Sequence, residues 1–136
     1  MLEKYEENFD GDEFLQKLME ERQISKTEAR KAAQKEIPLE KEYQKKIQRA
    51  LSKRYPDALV VKIAQGQYSR AGIPDLMCII DGHYFGFEIK RPILGKATGI
   101  QEETIRLITK AGGTAAIVSW PEECFLLIDG WKRKEI

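Results

Sequence analysis

The strongest constraint on this chain is a short stretch near its middle. The run Leu76–Ile80 carries no charge, Asp81 and Gly82 follow it, and His83–Lys90 then alternates in character. An Asp-Gly pair between two apolar, β-favouring runs signals a two-residue hairpin turn. Alternate side chains of a strand share a face. Phe85, Phe87 and Ile89 therefore turn toward a core, while Tyr84, Gly86, Glu88 and Lys90 share the opposite face. Counting outward from the turn places Asp75 opposite Glu88. In that register their Cβ atoms stand about 4.5–5.5 Å apart.

The rest of the chain reads around this hairpin. Phe14, Leu15, Leu18 and Met19 have helical spacing. Ser25 and Glu28 form a capping box for a helix over about 26–36, which Pro38 ends. Residues 1–38 thus read as a two-helix extension, packed on the body or on a second subunit. The body, residues 39–136, begins with a helix over about 39–54 whose apolar face is Tyr43, Ile47, Ala50 and Leu51. A strand over 58–64 follows, then a polar loop over 65–72. Thr98 and Gln101 fit a second capping box, opening a helix that Gly112–Gly113 ends. Thr114–Ser119 reads as an interior strand. The body order is α-β-β-β-α-β, an α/β class with a mixed sheet flanked by helices. Residues 121–136 are ambiguous between helix and strand.

Composition narrows the function. One domain and one modest core suit 136 residues with 42% hydrophobic content. No apolar run nears the ~20 residues that span a bilayer, and Met1–Asp10 is acidic with no apolar stretch; the expectation is a cytoplasmic protein with no membrane partner. Cys78 and Cys124 match no zinc spacing, and Cys78 reads as a buried thiol. A lone histidine, His83, gives no support to histidine-based metal hydrolases or a Ser-His-Asp triad. There is no phosphate-loop motif for a nucleotide cofactor. Charge is unevenly spread. Residues 1–38 hold seven Lys/Arg against ten Asp/Glu, net −3, and residues 41–72 hold eight against two, net +6. Clustered positive charge of this kind suits a polyanion, although a solvated helix face gives the same pattern.

Two adjacent carboxylates repel, and one tends to keep a proton. A divalent cation between them removes the conflict, and hard oxygen ligands suit Mg2+ or Mn2+. Lys90, on the Glu88 face, is placed to orient an attacking water or to offset charge building on a phosphate. Asp75, Glu88 and Lys90 are the residue types that phosphodiester hydrolysis needs.

The flanking residues make the pattern specific. Arg70-Ala71-Gly72-Ile73-Pro74-Asp75-Leu76, then Phe87-Glu88-Ile89-Lys90-Arg91-Pro92, then Gln101, then Ala111-Gly112-Gly113 occur in that order. From about Leu39 to Ser119 the chain resembles the VRR-NUC branch of the PD-(D/E)xK nuclease superfamily, in particular its compact phage and bacterial members. The resemblance implies a restriction-endonuclease-like fold and Mg2+- or Mn2+-dependent DNA cleavage. It implies that Asp75 and Glu88 bind the metal, that the Ile89 carbonyl adds a ligand, that Lys90 is the catalytic lysine and that Gln101 lines the site.

Such nucleases place one more acid on the first helix of the body. Glu40 and Glu42 are both candidates. Glu40 shares the inward face of Tyr43 and Ile47, whereas Glu42 shares an outward basic face with Lys46 and Arg49. Glu40 is therefore the expected metal or water ligand, against a role in favouring the helix dipole. Arg70, Arg91 and Lys96 are candidate phosphate contacts, and Tyr68 a candidate base-stacking residue. The expected activity is structure-selective DNA cleavage, with four-way junction resolution by a homodimer favoured over flap or splayed-arm cutting. A non-catalytic DNA-binding module is the reading from another class.

Overall fold

A computed structural model describes residues 11–64 and 70–134. The proposed stacking role of Tyr68 falls outside the described residues. Two helices, α1 (Gly11–Arg22) and α2 (Lys26–Glu36), precede α3 (Glu40–Arg54). Then come β1 (Leu59–Lys62), β2 (Leu76–Ile80), β3 (His83–Ile89), α4 (Gly99–Lys110), β4 (Thr114–Val118) and α5 (Pro121–Lys134). The body thus follows the expected αβββαβ order and adds a final helix, which resolves the ambiguity of residues 121–136.

The four strands lie in the order β1-β2-β3-β4. The first two pairings are antiparallel and β3–β4 is parallel, which requires the crossover through α4. The hairpin forms where the sequence predicts it. Asp81 (φ 50°) and Gly82 (φ 80°) both take left-handed backbone, as a type I′ turn requires. Ile80 faces His83 and Leu76 faces Phe87, so one further step sets Asp75 beside Glu88.

Phe85, Phe87 and Ile89 are fully buried on one face with Leu76, Cys78, Ile47, Leu51 and Ile128. Truncating Phe87 to alanine there costs about 3–5 kcal/mol. The opposite face of β3 is covered as well, because Gly86 admits Pro74 and Tyr84 into the space a side chain would take. Arg54 and Tyr55, at the end of α3, both bond Asp129 of α5, at 2.8 and 2.9 Å. Cys78 and Cys124 are buried free thiols.

The N-terminal pair is joined to the body. Phe14, Leu15, Leu18, Ala29, Ala33 and Ile37 belong to the same buried cluster as the sheet residues, with Ile93 and Leu94 packed against it. The capping box of α2 is present, with Glu28 N–H donating to Ser25 Oγ at 3.2 Å. Among the described residues no helix is long and apolar enough to cross a membrane.

Candidate active site

Asp75 lies just before β2, and its main chain is already committed there: its carbonyl accepts the Ile63 N–H at 2.8 Å. Its side chain reaches across to β3, where Oδ2 accepts the Ile89 N–H at 3.0 Å. That bond fixes the carboxylate at the end of the hairpin, beside Glu88. Pro74, fully buried, anchors the approach by packing over Gly86. Gly72 takes φ +84°, and a Cβ there would strike Ile100 and Thr104 of α4. The glycine therefore lets the loop before Asp75 lie flat on that helix.

Glu88 is 3% exposed, an unusual place for a carboxylate. Its Oε1 accepts a 2.6 Å hydrogen bond from Gln101 Nε2 and lies 3.6 Å from Lys90 Nζ. Its Oε2 is buried and has no protein donor, so that with both carboxylates ionised it is unpartnered, and only a proton shared with Asp75 bonds the two side chains. Burial first, and then the neighbouring Asp75 carboxylate, push the Glu88 pKa up to about 7; Lys90 pulls it down and Glu40 adds to the rise. Such a group is a poor resident of a folded interior unless a cation or proton joins it.

Gln101 carries two roles at once. Its Oε1 accepts the Thr98 N–H at 3.0 Å and its N–H donates to Thr98 Oγ1 at 3.2 Å, which closes the capping box of α4. Its Nε2 is left for Glu88. The helix start and the site are thus built by one side chain.

Lys90 follows β3, and the last residue of β4 and the residue after it hold its main chain. Its N–H donates to the Val118 carbonyl at 3.0 Å, and its carbonyl accepts Ser119 Oγ at 2.7 Å. The Ser119 contact had no signal in the sequence beyond its place at the end of an interior strand.

Glu40 opens α3 and is half-buried, with Tyr43 and Ile47 buried on the same face. Its pKa is raised by burial and by Asp75, and lowered by Lys90 and Arg91. Those influences place it in the field of the Asp75–Glu88–Lys90 group. Glu42 is exposed and lies 3.9 Å from Lys45 on the outer face.

The three candidate phosphate contacts part company. Arg70 and Lys96 are exposed. The half-buried Arg91 instead donates from Nε to the Pro38 carbonyl at 2.9 Å, and from Nη2 to the carbonyls of Gln34 (2.9 Å) and Ile37 (2.6 Å). Arg91 is thus tied to the main chain around the end of α2.

The donor set fits a hard divalent cation. Asp75 and Glu88 are adjacent oxygens, one Glu88 oxygen is buried without a donor, and no soft ligand stands among them. Among the described residues no three acidic, histidine or cysteine side chains form a ready cage. Mg2+ in particular keeps several waters and takes only one or two protein carboxylates.

No protein-family model matches the chain, and no curated protein sequence matches it. A solved structure described as a VRR_NUC domain is similar, with a TM-score of 0.52 at 23% identity. The similarity covers 64% of this chain and 95% of that one. The chain therefore has the fold of a VRR_NUC domain, a restriction-endonuclease-like α/β architecture.

Proposed function

We propose that this chain is a metal-dependent DNA endonuclease selective for branched DNA, with four-way junction resolution as its favoured activity. One observation carries the reading: a carboxylate sealed from water, Glu88, stands between Asp75 and Lys90 with an oxygen left without a donor. Such an arrangement is costly for folding alone and suits a cation site. The VRR_NUC fold supports it.

Asp75, Glu88 and the Ile89 carbonyl would hold Mg2+ or Mn2+, with Glu40 as a direct or water-bridged ligand. When bound, such an ion polarises a phosphate oxygen and lowers the pKa of water. Lys90, fixed through its main chain to β4, orients the attacking water and offsets charge that builds on the phosphate. Gln101 holds Glu88 in place. Arg70 and Lys96 contact the DNA backbone beside the site. The exposed basic face of α3, with Lys41, Lys45 and Arg49, adds to the attraction. A two-fold homodimer would offer two sites to a junction with matching symmetry, and the work would belong to DNA recombination and repair in a bacterial or phage-infected cytoplasm.

The test is cleavage of labelled four-way junction, flap, splayed arm, duplex and single-stranded DNA, in Mg2+, Mn2+ or EDTA, beside an Asp75→Ala variant. Metal-dependent cutting of the junction that the variant loses is the expected result. Preference for flaps or splayed arms would replace junction resolution. DNA binding without cutting would point to a non-catalytic module.

A further inference from the structure

The last carbonyls of a helix need donors from outside it. In α2 the Gln34 carbonyl would bond the N–H four residues on, but residue 38 is proline and has none. Arg91 supplies the missing donor and also reaches the Ile37 and Pro38 carbonyls. Arg91 is the residue after Lys90, and Pro38 lies two residues before Glu40. One guanidinium thus joins the segment after β3 to the end of α2 and to the linker that leads into α3, the segments that flank Lys90 and Glu40.

The loop after Arg91 is tied down from both directions. Gly95 N–H donates to the Arg91 carbonyl at 2.9 Å, and a Cβ on Gly95 would come within 2.5 Å of Lys90 Cβ. Ile93 holds φ 68°, a conformation that β-branched residues avoid. The Ile93 side chain lies against Gly11 at the start of α1, and its carbonyl accepts Arg30 Nη2 of α2 at 3.5 Å. Helices α1 and α2 therefore grip the segment that leaves the candidate catalytic lysine.

We infer that Arg91 is a positioning residue that sets Glu40 and Lys90 against each other, and that residues 11–38 are thereby part of the working site. The inference rests on the nuclease reading above. Lysine at this position keeps the charge but has no planar fork to serve three carbonyls.

The experiment compares full-length wild type, Arg91→Lys and Arg91→Ala. It measures kcat and KM for the DNA cut best, DNA affinity in EDTA, and hydrogen exchange along the chain. Small misplacements at an active site are expensive, so kcat falls about ten-fold or more in Arg91→Lys and further in Arg91→Ala. KM and DNA affinity in EDTA stay within about two-fold, the pattern of a lost transition-state interaction. Exchange quickens together in residues 34–42 and 91–95 while the β2–β3 core stays protected. Three results overturn the inference: unchanged kcat; a matching loss of DNA affinity, which would make Arg91 a phosphate contact; or faster exchange throughout, with activity falling only as the folded fraction falls. A wild type that cuts no branched DNA defeats the nuclease reading instead. The exchange comparison then still decides whether Arg91 couples the two segments.

Discussion

Gln101 and Glu88 are joined by a 2.6 Å hydrogen bond, while the other end of the same amide caps α4. The two functions separate by substitution. Gln101→Ala removes both and leaves a buried carboxylate oxygen short of its donor, so stability falls by about 1–3 kcal/mol. Gln101→Glu keeps an oxygen for the Thr98 N–H but sets a second carboxylate against Glu88. Near neutral pH it should lose stability as Gln101→Ala does, since the donor to Glu88 is gone, and it should regain stability in acid, where a proton shared by the two carboxylates restores a hydrogen bond. Cleavage is lost in both variants, because the facing charge drives Glu88 further toward its protonated form in one and its donor is missing in the other. Thermal unfolding across pH beside cleavage rates at fixed metal checks this; two variants whose stabilities follow pH alike would show that neither the cap nor the shared proton contributes.

The raised Glu88 pKa sets a pH dependence with a definite sign. In the metal-free fold the group titrates near 7, against an ordinary value of 4.5. The folded state therefore binds more protons than the unfolded chain between those values, and this contribution to stability is lost as pH rises through about 7. In EDTA, wild-type stability should fall relative to Glu88→Gln between about pH 5 and pH 8. Metal must displace the same proton, so the metal concentration needed for half-maximal cleavage should drop over that range. A difference between the two proteins that does not change with pH would place the Glu88 pKa elsewhere.

Asp75 has a main-chain partner as well as a place in the charge cluster. Asp75→Ala frees the Ile89 N–H at the end of β3, and a buried donor left without its acceptor costs about 1–3 kcal/mol. Asp75→Asn keeps an acceptor oxygen and removes the charge. The asparagine variant should melt close to wild type and cut at least about a hundred-fold more slowly. Equal melting temperatures for Ala and Asn would remove the structural half of this reading.

The hairpin and its register were legible because both are local. Asp81–Gly82 selects one turn type, and the turn then fixes Asp75 beside Glu88 by counting alone. The inward placement of Glu40 and the outward placement of Glu42 were also legible, because helical spacing tied Glu40 to Tyr43 and Ile47. Helix α5 was obscured by the apolar block Phe125–Ile128 and by Gly130. Its start signals were nonetheless present: Pro121 at the first position and two acids after it, with Glu123 Oε1 accepting the N–H groups of Ser119 and Trp120. The main-chain bonds of Arg91 left no pattern to read. Its partners are main-chain carbonyls 53 to 57 residues away, and carbonyls carry no sequence identity.

The two acids of the first turn of α3 give the sharpest comparison, since they differ by two positions and share one helix. Glu40 feels Asp75, Lys90 and Arg91, and its pKa is raised chiefly by burial. Glu42 is exposed beside Lys45, in a pair of the kind worth at most about 1 kcal/mol. Both carboxylates sit at a helix N-terminus, so the dipole favours each similarly, by about 0.3–1 kcal/mol. If the dipole were the whole role of Glu40, Glu40→Gln and Glu42→Gln would have matching small effects on stability and none on cleavage. The proposed metal site predicts a different result: Glu40→Gln lowers kcat about ten-fold or more and raises the metal requirement, as losing a metal or water ligand does, while Glu42→Gln leaves both unchanged. Metal titrations of cleavage for the two variants decide it, and equal behaviour would remove Glu40 from the site.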